Sequence, residues 1–225
     1  MIKSKGEDMV QQYKFEELFH TEFTLLMKRE IKQNLQVAIE AYNQFLIENK
    51  QLLSYPKRDS VLGRWRTYMI ERQIYQRAFR PDALYNVRLQ ETNHFGDKAL
   101  FVETDSFSCN IARTLSPTLI PSASSYKLKA AEKNSDSDQQ FGFDWNKEEI
   151  SEICIPQYVL ITYGFNKLSG KLSHLTYIVP DEKMKNILYH EDGMAIPEDV
   201  STYTYEEKEE SIVRLKQELK NKIGI

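Results

Sequence analysis

The clearest pattern of apolar and polar positions lies in residues 158–180, where two runs rich in β-branched and aromatic side chains flank a polar break. In the first run, which includes Ile161, both sets of alternating positions are largely apolar, as is typical of a central strand covered on both faces. Asn166 and Gly170 bound the break, and both residue types tolerate the positive φ of a turn. The pattern predicts a β-hairpin at the centre of a sheet.

A second hairpin is predicted over residues 84–104. Apolar positions alternate up to Gln90 and again from Leu100, with a polar loop at residues 93–97 between the two runs. A weaker run from residue 107 to residue 111 indicates a third strand. Together with the central hairpin, these segments predict an antiparallel sheet of about five strands.

The N-terminal part of the chain has the periodicity of helices. Apolar residues recur at three- and four-residue steps over residues 7–50, which predicts a helix in two pieces, and Pro56 ends the run. A further helix is expected to start from a cap at Asp59 or Ser60 and to end at Phe79, just before a proline.

The second half of the chain is predicted to contain a long connection and more helix. Residues 116–140 are poor in large apolar side chains in their later half, which predicts a long flexible loop that is either a functional lid or a disordered insertion. Asp181 is placed to cap a short helix that reaches Leu188. Residues 205–222 carry acidic side chains first and basic side chains last, an order that complements a helix dipole and predicts a C-terminal helix.

This order of elements predicts an α+β fold, with N-terminal helices, an antiparallel sheet built on two hairpins, and C-terminal helices. A chain of 225 residues fits a single domain over residues 1–225. Its predicted parts are a helical region at 1–80, a sheet from 84–113 and 158–180, the loop at 116–140, and the last helix at 205–222.

Composition, charge and missing motifs mainly exclude classes of function. A net charge of −3 gives no general attraction to nucleic acid or to an anionic membrane, so such binding would need a local patch. No phosphate-binding glycine loop, dinucleotide motif or nucleophile elbow is present, so no cofactor and no catalytic residue are predicted. No apolar run is long enough to span a bilayer and the N-terminus lacks the apolar core of a signal peptide, so the expected location is cytoplasmic.

The helix expected over residues 62–80 carries the most informative charged pattern. With about 100° between successive residues, its aromatic side chains fall on one broad arc, and several arginines fall on a stripe beside that arc. Arg72 lies within the arc, where a guanidinium requires a carboxylate, a cluster of backbone carbonyls or an anionic ligand. The candidate nucleic-acid-binding or anion-binding residues are Lys57, Arg58, Arg66, Arg72, Arg77 and Arg80. The alternative is an amphipathic core helix whose arginines solvate its rim and pair with acidic strands.

Acidic residues around the second hairpin suggest a different chemistry. Asp97, Glu103 and Asp105 could share a divalent metal, as carboxylates on neighbouring strands do in metal-dependent nucleases. The pattern departs from the nuclease arrangement, because an aspartate occupies position 105 where a lysine would be needed. The four histidines have no metal-ligand spacing, and no metal site is assigned from the sequence.

The missing catalytic motifs favour a non-enzymatic intracellular interaction or regulatory protein that acts through protein–protein contacts, with a protein partner or a second copy of itself. A nucleic-acid-binding module that uses the basic helix at residues 57–80 is the alternative. A metal-dependent phosphodiesterase or nuclease that uses the acidic hairpin at residues 91–105 is a second alternative. No membrane partner is expected.

Overall fold

The protein is described by a computed structural model over residues 15–54, 58–92, 96–134, 157–166, 170–196 and 204–224. The helices of these residues are α1 at residues 15–22, α2 at Leu25–Glu48, α3 at Arg58–Arg77, α4 at Ser125–Ala131 and α5 at Tyr205–Ile223. The strands are β1 at Asn86–Glu91, β2 at Lys98–Glu103, β3 at Ser108–Arg113, β4 at Tyr158–Phe165, β5 at Leu172–Pro180 and β6 at Ile187–Asp192. Short 3-10 turns occupy Lys50–Ser54, Glu132–Asn134 and Gly193–Ala195.

The strands form one sheet in the order β1-β2-β3-β4-β5-β6, which confirms the α+β class. Two antiparallel three-stranded units lie side by side, and they meet where β3 pairs with β4 in parallel. The prediction of an antiparallel sheet of about five strands is therefore confirmed in part: the sheet is mostly antiparallel, but it has six strands and the pairing of β3 with β4 is parallel. A parallel pair needs a long crossover connection, and the chain between Arg113 and Tyr158 supplies it.

The sixth strand occupies a segment for which a short helix was predicted. Asp181 does accept a hydrogen bond from the backbone N–H of Lys185, at 2.7 Å, but this contact closes a turn that leads into β6. Burial alternates along β6 between half-buried and exposed residues, the pattern of an edge strand with one covered face. The helix prediction failed because the few apolar residues of this segment fit a period of two as well as a helical period.

The predicted loop at residues 116–140 contains α4 and the 3-10 turn that follows it, so the loop prediction was wrong for residues 125–134. Residues 135–140 lie outside the described part. Tyr126 and Leu128 pack against the sheet near Phe101, and this packing stabilises a helix whose own sequence is too short to form alone. Helix stability here comes from tertiary contacts that composition does not report.

Asn134, at the end of this helical segment, forms hydrogen bonds to the sheet. Its Nδ2 donates to the backbone carbonyls of Tyr158 and Pro180, at 3.0 and 2.8 Å. Its Oδ1 accepts from the backbone N–H groups of Gln157 and Tyr158, at 3.1 and 2.9 Å. One buried amide thereby satisfies backbone groups at the start of β4 and the end of β5, and it fixes the position of α4 over the sheet.

The sheet is covered on both faces. Helices α1, α2, α3 and α5 pack on the face that carries Ile161 and Tyr177, and α4 covers the face that carries Leu160. Successive residues of β4 point to opposite faces, which explains why the whole strand is apolar. Ile161 is fully buried, so the central position predicted for the hairpin is confirmed.

The three N-terminal helices agree broadly with the prediction. A break at residues 23–24 separates α1 from α2, and Thr24 caps α2 by accepting a hydrogen bond from the N–H of Met27. Helix α3 begins at Arg58, so Asp59 and Ser60 lie inside its first turn and do not cap it from outside. The C-terminal helix α5 starts from a capping box made by Thr204 and Glu207. No described helix combines the length and the apolarity that crossing a membrane requires.

The buried face of α3 differs from the predicted one. Its buried residues include Arg66, Gln73 and Arg77, while Phe79, at the end of the predicted aromatic arc, is 68% exposed. The amide of Gln73 donates to Oδ1 of Asn34 on α2, at 3.1 Å, so the two helices meet through a polar layer. The expectation that the arginines of this helix solvate its rim was therefore wrong for Arg66 and Arg77.

Candidate functional site

Three of the candidate arginines are paired with carboxylates of the same chain. Arg72 contacts Glu218 of α5, with 2.7 Å between Nε and Oε2, which is the kind of partner that its position predicted. Arg80 contacts Glu207, with 3.0 Å between Nη1 and Oε1. Arg77 forms an almost completely buried pair with Glu30 of α2 and also contacts the exposed Asp82. These arginines hold α3 against its neighbours, because each ion pair joins α3 or the residues just after it to another part of the fold.

Lys57 and the side chain of Arg58 lie outside the described residues. The remaining candidate, Arg66, has a different environment from the others. It is 9% exposed, its Nε has no hydrogen-bond partner, and no carboxylate of the described chain forms an ion pair with it. Its guanidinium Cζ lies 4.5 Å from the centroid of the Phe165 ring and 5.8 Å from that of Tyr42.

A second arginine stacks on the same ring. Cζ of Arg113, the last residue of β3, lies 4.9 Å from the centroid of Phe165. Across the part of the chain that the structure describes, Arg113 also has no ion pair with a carboxylate. One phenyl ring of β4 therefore carries two guanidinium groups, one buried and one exposed, and neither has a counter-ion from the described residues.

The two charges act on each other and on the groups around them. Burial, and then the positive charge of Arg66, lower the pKa of Arg113. Burial raises the pKa of Tyr163, and the positive charges of Arg66 and Arg113 oppose this rise. At the separation set by their shared ring, the two guanidinium groups repel each other by an amount on the order of 1 kcal/mol after solvent screening. A bound anion would offset this local repulsion.

A cleft of about 320 Å³ opens beside Arg113, close to the carboxyl ends of the parallel strands β3 and β4. Helix α3 borders it with Thr67 and Glu71, and α4 borders it with Tyr126 and Lys127. Ligands of open α/β sheets bind at the carboxyl ends of parallel strands, where the connections diverge. The single parallel pair of this sheet produces such an edge, with one helix coming from each face.

Glu71 is the acidic group of this cleft. Burial raises its pKa to about 7, and the positive charge of Lys222 opposes this rise. The carboxyl is therefore largely protonated just below neutral pH, and it supplies little negative charge to Arg113. Burial also lowers the pKa of Lys127 on the opposite wall. Partly desolvated cations beside a carboxyl whose pKa is raised to about 7, and which is therefore only about half ionised at neutral pH, form a site that favours an anion.

The acidic residues of the second hairpin do not come together. Asp97 precedes β2 and Glu103 ends it, so they stand about 20 Å apart at roughly 3.3 Å per residue. Asp105 lies in the turn between β2 and β3, and Glu103 is held by Arg88, with 2.9 Å between Nη2 and Oε1. Within the described residues, no three His, Cys, Asp or Glu side chains are close enough to share a metal ion.

The cleft, and the Phe165 ring on which its Arg113 stacks, include residues that the sequence did not single out. Arg113, Phe165 and Lys127 come from segments predicted as a weak strand, a hairpin end and a flexible loop, and only the parallel pairing of β3 with β4 brings them together. A sequence signal does exist for Arg113, because it is the first charged residue after a run that begins at Phe107. The whole sequence matches no model of a known protein family, no curated protein and no solved structure.

Proposed function

We propose that the protein is a non-enzymatic binding or regulatory protein that takes up a small anionic ligand in the cleft beside Arg113. The observation that carries the proposal is the pair formed by Arg66 and Arg113 on the ring of Phe165 without a carboxylate of the described chain. A guanidinium that lies beside a second positive charge without a counter-charge is costly, and an anion bound at Arg113 would offset part of that cost, although Arg66 itself does not line the cleft.

Arginines elsewhere in the described fold that have a structural role are paired with carboxylates. Arg72, Arg77 and Arg80 each contact at least one carboxylate at 3.0 Å or less. Arg88 offers the closest comparison, because it stacks on Phe101 at 4.7 Å and also pairs with Glu103. Arg88 therefore combines a ring with a counter-ion, whereas the two arginines at Phe165 have the ring but no carboxylate among the described residues.

The size and the lining of the cleft suggest a small ligand. A volume of about 320 Å³ lies near the lower end of the range of ligand pockets, roughly 300–1,000 Å³. Arg113 and Lys127 offer charged donors, and the hydroxyl groups of Thr67, Ser122 and Tyr126 line the same space. These groups suit a phosphate or carboxylate group attached to a compact polar body.

The three functions predicted from the sequence relate to this site in different ways. A regulatory role through protein contacts stays a prediction, and a ligand in the cleft could control it. Nucleic-acid binding by the basic helix also stays a prediction, but Arg72, Arg77 and Arg80 are engaged in ion pairs and would contribute less to it than expected. A metal-dependent phosphodiesterase has no support from the geometry, because its three carboxylates lie apart.

The experiment is a calorimetric titration with inorganic phosphate and, separately, with succinate at low ionic strength. We expect wild type to bind at least one of them and Arg113→Ala to weaken that binding at least about tenfold, a loss of about 1.4 kcal/mol. Arg88→Ala is the matched control, since it removes an exposed, ring-stacked arginine that already has a carboxylate. The control should bind like wild type.

A labelled single-stranded oligonucleotide, titrated in parallel, separates the two candidate ligands. Equal affinities of wild type and Arg113→Ala for all three probes, or no binding of either small anion, would overturn the proposal. Oligonucleotide binding that is steep in salt and survives Arg113→Ala would favour the basic helix instead.

A further inference from the structure

A second cleft, of about 540 Å³, adjoins the first along α3. Ser60, Arg64 and Tyr68 line it from α3, and Lys222 closes it from α5. Thr67 and Glu71 line both clefts, so the two spaces meet along one strip of the helix. Residues four apart on a helix lie one above the other, which makes the shared strip continuous.

The second cleft has its own cationic groups. Nζ of Lys222 lies 3.8 Å from the centroid of the Tyr68 ring, which holds the ammonium at the cleft wall. Arg64 is exposed on the same side of α3. Among the described residues, neither side chain has a carboxylate within ion-pair distance. The neighbouring lysine of α5, Lys220, differs because it lies 3.9 Å from Glu48.

The cations of the two clefts are thus separated by the shared strip. Arg64 precedes Glu71 by two helical turns, about 10 Å along the axis. Arg113 and Lys127 line the first cleft but not the second, and Arg64 and Lys222 line the second but not the first. A single charged group cannot contact both sets of cations, whereas an elongated molecule with an anion at each end can.

We propose that the two clefts form one groove whose ligand carries two anionic groups joined by a spacer that crosses Thr67 and Glu71; this inference rests on the proposed function and extends it. One anionic group of the ligand contacts Arg113 and Lys127, and the other contacts Arg64 and Lys222. A bisphosphate or a phosphorylated carboxylic acid with an extended polar backbone belongs to this class.

The group at the junction favours such a spacer. A protonated Glu71 carboxyl donates a hydrogen bond, and its carbonyl oxygen together with the Thr67 hydroxyl accepts others. These groups suit hydroxyl or ether oxygens of a ligand backbone. An ionised carboxylate at the same place would repel both anionic ends, so the raised pKa of Glu71 fits a ligand that places negative charge on either side of it.

The test compares inorganic phosphate with ethanediol bisphosphate and hexanediol bisphosphate, which present two phosphates on a short and a long chain. Hexanediol bisphosphate should bind wild type at least about tenfold more tightly than phosphate, because the second contact is intramolecular. The affinity of ethanediol bisphosphate should exceed that of phosphate by much less. The double variant Arg64→Ala/Lys222→Ala should lose the gain of the long probe and keep the affinity for phosphate.

Lys220→Ala is the control on α5, and it should behave like wild type. Thermal melts of each variant establish that it is folded, which is expected because Arg64 and Lys222 are exposed. The two-anion groove is rejected if hexanediol bisphosphate binds no more tightly than phosphate, or if its higher affinity persists in the double variant. Either result leaves phosphate binding at Arg113 intact. If wild type bound none of these probes and did not bind succinate either, the proposed function itself would be rejected.

Discussion

Nε of Arg77 lies 3.0 Å from Oε1 of Glu30, and both side chains are almost completely buried between α3 and α2. Nη2 of Arg77 donates to Oε2 of Glu30 at 3.1 Å, while Nη1 contacts the exposed Asp82 at 2.7 Å. Burial raises the pKa of Glu30, and the hydrogen bond from Arg77 opposes that rise. The carboxylate is therefore tolerated inside the protein only because the guanidinium accompanies it.

Replacing Arg77 with alanine should lower the free energy of unfolding by about 3–5 kcal/mol, since it leaves Glu30 buried without a partner. Urea denaturation at neutral pH measures this loss. Asp82→Ala is the control, because the Asp82 side chain is 69% exposed and its removal should cost less than about 1 kcal/mol. Similar losses in the two variants would show that the buried pair contributes no more than the exposed one.

This pair also shows what the helical period of the sequence could and could not predict. The need of Arg72 for a partner followed from its place among aromatic residues, and Glu218 meets that need. The burial of Arg77 did not follow, because a helix with aromatic residues on one side and arginines on the other can turn either side inward. The choice depends on Glu30 and Asn34 of α2, which offer a charged and an amide partner. Such partners meet only once the helices have packed.

A second prediction concerns Ile161, at the centre of β4. The side chain is fully buried under the helical layer, so Ile161→Ala should cost roughly 2–5 kcal/mol of unfolding free energy. Ile47→Ala is the matched control, since Ile47 on α2 is 66% exposed and alanine is the better helix former. Paired chemical denaturation measures both variants. A cost below about 1 kcal/mol at Ile161 would mean that this strand does not lie at the centre of the core.

The position of this strand was predictable because its apolar run satisfies both faces of a sheet at once. The neighbour of the strand was not predictable, since the sequence of β3 fits a parallel partner as well as an antiparallel one. The cleft depends on that missing information, because Arg113 and Tyr163 come together only through the parallel register. The fold class was therefore more accessible from the sequence than the site.

A third prediction concerns Gly164, where β4 and β5 shift register. A Cβ at this position would lie far inside van der Waals contact with Cε1 of His174. The imidazole cannot move away freely, because its Nε2 is hydrogen-bonded to Oγ1 of Thr114 at 2.9 Å. Gly164→Ala should therefore destabilise the protein by about 1–3 kcal/mol.

Gly63→Ala on α3 is the contrasting substitution, because a Cβ there meets no heavy atom within 4 Å. In a helix interior this change should stabilise the protein by roughly 0.5–1 kcal/mol. Differential scanning calorimetry should show a lower melting temperature for Gly164→Ala and a higher one for Gly63→Ala than for wild type. An unchanged melting temperature for Gly164→Ala would indicate that His174 leaves its position at little cost.

The last prediction uses the pKa of Glu71, which burial raises from an ordinary value of 4.5 to about 7. The folded protein therefore holds this proton more tightly than the unfolded chain does. Below about pH 4.5 the carboxyl is protonated in both states and does not alter stability. As the pH rises towards 7, the unfolded chain releases the proton first, so stability falls. Above pH 7 the loss is complete and amounts to about 3 kcal/mol.

Glu71→Gln keeps the shape of the side chain and removes this titration. The variant should match wild type at pH 4.5 and exceed its unfolding free energy by up to about 3 kcal/mol at pH 8, with the difference growing between those values. Glu210→Gln, on the exposed side of α5, controls for the loss of one negative charge. Urea denaturation across this pH range measures the difference. A difference that stays constant with pH would show that Glu71 ionises freely in the folded protein, and the junction of the two clefts would then hold a carboxylate that repels an anionic ligand.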